Sequence, residues 1–139
     1  MIVLNASALV DWLLQTPRLG SAVAREITSA DSLHTLDFAS IEVVSALRRK
    51  ARHGELTDLR AEEALSDLSA TRIRRHPADP LTLRTWALRA SHSAYDAAYI
   101  ALAEALDAPL VTTDGRLGRS HGHRAVVRTA GEPISPAGD

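Results

Sequence analysis

Ile2-Val3-Leu4-Asn5-Ala6-Ser7-Ala8-Leu9-Val10 opens with three apolar residues in a row and then changes period. An unbroken apolar triplet suits a strand buried on both faces. Beyond Asn5 the apolar pairs Leu9/Val10 and Leu13/Leu14 recur every four residues, which predicts a helix over Ser7–Leu14 with Ser7 near its cap. A buried strand running directly into a helix is the opening unit of a parallel sheet covered by helices.

The rest of the chain repeats that alternation. Pro17 suits a helix start, and Leu19, Val23 and Ile27 form one stripe. Leu33–Leu36 reads as a second strand. A helix over Phe38–Arg52 stacks Val43, Val44, Leu47 and Ala51, with Gly54 placed to stop it. Another helix is predicted over Asp58–Ser69, a weak strand over Ile73–His76 before Pro77, and a helix over Pro80–Ala90. Ala94–Leu106 is apolar on nearly every side, as a central helix is. Leu110–Thr112 is a strand, Gly115–Arg119 a helical turn, and Ala125–Val127 a last strand. The order β-α-α-β-α-α-β-α-α-β-α-β defines an α/β fold, a three-layer α/β/α sandwich with a central parallel sheet. In such sheets ligands bind outside the carboxyl ends of the strands.

Composition narrows the function. A chain of 139 residues, 45% hydrophobic, makes one domain with a proper core, expected over 1–130, with 131–139 as a flexible C-terminal tail. Without cysteine, thiol catalysis, thiolate metal sites and a disulfide framework are excluded. The longest apolar run, Ala97–Ala103, is too short to span a membrane, and no basic segment precedes Met1-Ile2-Val3-Leu4, so a cytoplasmic location is expected. Sixteen basic and seventeen acidic residues leave a net charge of −1, so any anionic partner must meet a local patch, not a global field. All the basic residues but Lys50 are arginine, a donor suited to phosphate.

Four polar positions fall at strand ends or on helix faces beside them. Each has a bland reading: Asn5 as a turn or cap residue, Glu42 as a paired acid among Ile41, Val43 and Val44, Asp96 as half of the capping box Ser93-Ala94-Tyr95-Asp96, and Asp114 as a strand-to-helix turn before Gly115. Together they suggest more, because like charges gathered in one cleft need a counter-charge. Hard divalent cations, Mg²⁺ or Mn²⁺, held by carboxylate oxygens and water are the usual solution. Such ions can orient a water for attack on a phosphodiester, so hydrolysis of a nucleic-acid backbone is the reaction that fits.

The opening run, Glu42 in its helix, the segment Ser93-Ala94-Tyr95-Asp96-Ala97-Ala98-Tyr99-Ile100-Ala101-Leu102-Ala103 and Leu110-Val111-Thr112-Thr113-Asp114 together resemble the PIN domain, and specifically the VapC-type toxins of bacterial toxin–antitoxin pairs. The resemblance covers essentially the whole chain. It implies a Mg²⁺- or Mn²⁺-dependent endoribonuclease, silenced by a cognate VapB-type antitoxin whose C-terminal tail plugs the site, and it implies a homodimer. Carried over by position, Asn5, Glu42, Asp96 and Asp114 fill the four acidic places as catalytic and metal-holding residues, with Ser7 and Thr112 as hydroxyl helpers.

One place departs from the pattern, since the family has aspartate where this chain has Asn5. The amide keeps one ligand oxygen but loses a full charge. Three accounts stay open: a change made so that a toxic protein can be expressed, which is preferred, a natural loss of activity, or sufficiency of the other three acids. A catalytically inactive PIN-like protein that only binds antitoxin or RNA is therefore the alternative function. A receiver-type signalling domain lacks its adjacent acidic pair, and a dinucleotide-binding domain lacks its GxGxxG loop.

Among the basic clusters, Arg48-Arg49-Lys50-Arg52-His53 and Arg72-Arg74-Arg75-His76 read as solvated helix faces, whereas Arg116 and Arg119, just past Asp114, are the candidates for RNA phosphates. His121-Gly122-His123 reads as a polar loop, because two histidines without a further ligand make a weak metal site. Trp12 lies off the Leu9/Leu13 stripe and is a candidate for protein contact.

Overall fold

The computed structural model describes residues 1–133. Within them five strands, β1 (Ile2–Leu4), β2 (Leu33–Leu36), β3 (Arg74–His76), β4 (Leu110–Thr112) and β5 (Val127–Thr129), form one sheet in the order β3-β2-β1-β4-β5. Every pairing is parallel. The helices are α1 (Ala6–Leu13), α2 (Leu19–Ser29), α3 (Ala39–Arg52), α4 (Asp58–Ala70), α5 (Thr82–Ala87), α6 (Ala94–Leu106) and α7 (Gly115–Gly118). This is the predicted α/β/α sandwich.

The strand order explains the layering. From β1 the chain steps outward to β2 and β3, then crosses back to β4 and β5 on the other side of β1. Right-handed crossovers therefore put α1–α4 on one face and α5–α7 on the other. The direction of travel reverses between β1 and β4, which opens a crevice beyond their carboxyl ends. β1 and β4 are buried at every residue, and Val3, Leu4, Leu110 and Val111 anchor the core beneath that crevice.

α6 is the inner helix that the sequence predicts. Residues Ala97 to Ala103 are all buried, and their small side chains let α6 lie close against the sheet. α1 and α2 also approach tightly, because Gly20 faces the α1 end: a Cβ there would sit 2.6 Å from the Asp11 carbonyl oxygen. Gly54 follows α3 at φ +72°, the left-handed geometry expected of a helix stop.

Several local expectations give way. The cap of α1 is Asn5, not Ser7: the Asn5 side chain accepts the Ala8 N–H. The helix predicted over Pro80–Ala90 divides into a 3₁₀ turn over Asp79–Leu81 and a short α5. The last strand is Val127–Thr129, two residues later than the Ala-Val-Val run suggests, because Leu110 pairs with Val127 and leaves Val126 at the surface. Trp12 is half-buried and packs on the core, since α2 to α4 enclose α1 more completely than its own periodicity indicates. Arg18 donates to the Gly131 carbonyl at 2.8 Å, so the chain is still held at residue 131. The rest of the expected tail, 134–139, lies outside the described residues. No helix among them is long and apolar enough to cross a membrane.

Candidate active site

Asn5 stands at the carboxyl end of β1 and Thr112 at that of β4, on the two sides of the crevice. Asn5 is buried, and each polar atom of its amide has a partner. Its Oδ1 accepts the Ala8 N–H at 3.1 Å and the Ser7 hydroxyl at 2.9 Å. Its Nδ2 donates to Thr112 Oγ1 at 2.8 Å. Since Ser7 gives its proton to Asn5, the 3.1 Å contact between the Ser7 and Thr112 hydroxyls is a bond donated by Thr112. Thr112 Oγ1 also accepts the Asp114 N–H at 3.0 Å, and Ser7 Oγ the Thr113 N–H at 3.3 Å. Asn5, Ser7 and Thr112 thus form a closed network that ties the start of α1 to the turn after β4. The amide cannot be reversed, because a backbone N–H requires the oxygen.

Asp114 caps α7, accepting the Arg116 N–H at 3.0 Å. The Arg116 guanidinium closes back on the same carboxylate through Nε at 3.2 Å and Nη2 at 3.1 Å. That bond holds the Asp114 carboxyl below the usual carboxylate range. Arg119, the other arginine singled out from the sequence, pairs with Glu132 at 3.6 Å.

Glu42 lies in the first turn of α3 and accepts the Tyr99 hydroxyl at 2.7 Å. Tyr99 is one turn after Asp96 on α6, so both project toward Glu42 from the same face. Burial pushes the Glu42 carboxyl up; the bond from Tyr99 opposes this, and the negative charge of Asp96 adds to it. Burial and the Glu42 charge likewise push the Tyr99 hydroxyl up, so it stays a donor. Ser93 caps α6 by accepting the Asp96 N–H at 3.2 Å, as the capping box predicts. Asp96 is also close enough to Arg116 to stabilise its positive charge.

The four positions therefore share one edge in two parts, Asn5 with Asp114 through Thr112, and Glu42 with Asp96 through Tyr99, and the fields of Asp96 and Arg116 link them. Among the described residues no three His, Cys, Asp or Glu side chains converge closely enough to hold a metal ion by themselves. In chemistry the donors fit a hard divalent cation, since Glu42, Asp96 and Asp114 offer carboxylate oxygens and neither thiolate nor imidazole stands with them. Asn5 fits less well. Its one oxygen is spent on α1 and Ser7, and an NH₂ group stands where an aspartate would carry its second oxygen.

Tyr99 is the site residue that sequence reasoning misses. Its signal was present in the three-residue spacing from Asp96, but an aromatic in an apolar helix reads as core. Arg49 and Lys50 are also more than a solvated face. With Ser7, Asp11, Phe38 and Glu42 they line a cleft of about 660 Å³ between α1 and α3. Tyr95 closes its rim and meets Phe38 edge to face, with ring centroids 5.4 Å apart.

A parallel sheet with acidic side chains around the crevice at its switch point defines a class of α/β proteins that carry carboxylates beyond the strand ends. Within that class the chain belongs to the PIN domain family, which matches residues 2–121. Ribonuclease VapC12 of Mycobacterium tuberculosis is 40% identical over 127 residues, covering 91% of this chain and 97% of that protein. Ribonuclease VapC9 of the same organism is 40% identical over 117 residues, or 84% of this chain and 88% of that one. The crystal structure of M. tuberculosis VapC20, described as a sarcin-ricin loop cleaving toxin, has the same fold: the TM-score is 0.67 at 16% identity, over 85% of this chain and 93% of that one.

Proposed function

We propose that this protein is a metal-dependent endoribonuclease toxin that hydrolyses RNA phosphodiester bonds and is neutralised by a cognate VapB-type antitoxin. The observation that carries the reading is the placement of Glu42, Asp96 and Asp114 around one edge of the sheet, beyond the carboxyl ends of β1 and β4, in a chain 40% identical to VapC ribonucleases over most of its length. Glu42, Asp96 and Asp114 are the residues that would hold Mg²⁺ or Mn²⁺. Bound there, the ion would supply the polarised phosphate oxygen and the activated water of hydrolysis.

The chain's own groups do the rest. Tyr99 fixes the Glu42 carboxylate by donating to one of its oxygens and leaves the other free. The Ser7–Thr112 pair sets the position of the loop that carries Asp114. Arg116 and Arg119, with Arg49 and Lys50 along the cleft wall, meet RNA phosphates, whose charge the net −1 of the chain would otherwise repel. A single domain over 1–130, a homodimer and a cytoplasmic location complete the reading.

Incubation of the purified protein with structured RNA, in Mn²⁺ and in chelator, tests it. Cleavage in Mn²⁺ that chelator abolishes and Asp96→Asn eliminates supports the enzyme. One observation favours the second reading, a binding module without catalysis: the Asn5 nitrogen in the place of a ligand oxygen. Antitoxin binding with no cleavage by this chain or by its Asn5→Asp form, in any divalent metal, would select that reading.

A further inference from the structure

The chain carries two tyrosines and one phenylalanine, and all three stand together beside Glu42. Phe38, the residue before α3, is half-buried and meets Tyr99 with ring centroids 5.6 Å apart and planes at 75°. Tyr99 is 1% exposed and its hydroxyl is spent on Glu42. Tyr95, the second ring against Phe38, is instead 59% exposed. The planes of Phe38 and Tyr95 stand at 83°, so whichever ring supplies the edge, Phe38 covers at most one face of Tyr95.

The position of the open face decides what it can meet. Tyr95 and Asp96 are consecutive in α6, with Cα atoms about 3.8 Å apart, a shorter step than one nucleotide of an extended strand. A phosphate brought to Asp96 therefore carries a base within reach of Tyr95. Ile41, 71% exposed and three residues after Phe38 on α3, adds an apolar wall to the same cleft. Farther along, Arg49 and Lys50 supply positive charge for neighbouring phosphates. Carboxylates, an aromatic slot and cations thus follow one another in one cleft, as reacting phosphate, base and backbone do in a single strand.

We propose that Tyr95 is the base-stacking residue of this cleft: an unpaired nucleobase next to the cleaved phosphodiester lies on its open face, with Ile41 beside it. The inference rests on the reading that RNA enters the cleft, and adds to it what the cleft selects. A ring that stacks reads no hydrogen-bond pattern, so selection follows stacking strength and favours purines over pyrimidines. It also favours single strands, because the bases of a duplex are already paired and stacked on one another. Tyr95 thereby determines which nucleotides enter and takes no part in proton transfer.

Fluorescence anisotropy with labelled oligoadenylate and oligouridylate of about ten nucleotides tests this apart from cleavage. The measurement is made in Ca²⁺, a hard cation that offsets the carboxylates, with the RNA recovered intact. The parent should bind oligoadenylate more tightly than oligouridylate. Tyr95→Leu should weaken oligoadenylate binding about tenfold and remove most of the preference, whereas Tyr95→Phe, which keeps the ring, should restore both. Affinity for an adenylate–uridylate duplex of the same length should be the same in all three. So exposed a ring can be replaced without opening a large cavity, and matching melting temperatures check that. Undiminished oligoadenylate binding by Tyr95→Leu, or an equal loss for the duplex, would overturn the inference and leave the nuclease reading standing. Binding of no RNA by the parent, with no cleavage in Mn²⁺, would overturn that reading and the inference with it.

Discussion

Asn5 Nδ2 donates to Thr112 Oγ1 at 2.8 Å, a bond that joins the carboxyl ends of β1 and β4 across the point where the sheet changes direction. Because the Ala8 N–H fixes the amide oxygen, replacing the nitrogen with oxygen is the smallest change that adds a ligand to the crevice. Asn5→Asp keeps the cap of α1, since aspartate caps as well as asparagine. Thr112 can turn its hydroxyl from Ser7 to the new oxygen, and Ser7 still accepts from Thr113. Without metal, stability at pH 7 should fall by about 1–3 kcal/mol, because the new carboxylate is buried, whereas Mn²⁺-dependent RNA cleavage should rise at least tenfold, or about 1.4 kcal/mol of barrier. Urea melts and initial rates on one RNA read both quantities, and equal rates remove position 5 from the mechanism.

Glu42 should report its environment through pH. Its carboxyl is raised by burial and by Asp96, against the bond from Tyr99, so the folded protein holds that proton more tightly than the unfolded chain does. An acid raised in this way costs stability once it ionises, and the cost grows as pH rises from the ordinary carboxylate range through the raised value. Glu42→Gln removes the charge and keeps an acceptor for Tyr99. The variant should melt higher than the parent at pH 7, with the gain disappearing below the ordinary carboxylate pKa, while Mn²⁺ affinity falls. A constant difference across pH would show that Glu42 ionisation is not the cause.

The frame was legible because buried strands and amphipathic helices write their periods locally: Ile2–Leu4, Leu33–Leu36 and Leu110–Thr112 each lie where an apolar run places them. Three candidate acids could be named because the ends of those strands and their neighbouring helices are visible in one dimension. Pairings between distant residues left no such mark. Tyr99 and Glu42 are 57 positions apart, and nothing in either segment names the other. Likewise His123 reads as a loop residue beside His121 until the fold brings His92 against it. β5 shows the limit of propensity, since Ala125–Val127 has the better β composition but register with β4 decides the strand.

Glu104 presents an asymmetric ion pair. Its side chain is 2% exposed and takes two bonds from Arg84, at 3.0 Å each, with Arg124 beside it, while the two arginines are 38% and 77% exposed. Burial alone would raise the Glu104 carboxyl, but Arg84 and Arg124 hold it below the usual range. Removing the exposed partner strands a buried charge; removing the buried one frees arginines that water can solvate. Arg84→Ala should therefore cost about 2–3 kcal/mol and Glu104→Leu about 1 kcal/mol or less. Because the depressed carboxyl contributes above the ordinary carboxylate pKa and loses its contribution as pH falls through the lower folded value, the Arg84→Ala penalty should shrink in acid. Urea unfolding at pH 7 and in acid measures both effects, and an equal penalty for the two variants would contradict the asymmetry.

Arg116 has two competing attachments. In the free protein its guanidinium is a fixed counter-ion on Asp114 and lies within the field of Asp96, so it neutralises the charge that a metal ion would neutralise. The side chain is 87% exposed, so release from Asp114 requires no unpacking, and once released it can reach a phosphate. Arg116→Ala should then move the two ligands in opposite directions. Mn²⁺ should bind several-fold more tightly, because Asp114 is no longer occupied, and RNA should bind more weakly with a salt slope reduced by about 1. Calorimetric titration with Mn²⁺ and RNA binding at several salt concentrations separate these effects. If both affinities fall, Arg116 is a structural support for Asp114, not its exchangeable counter-ion.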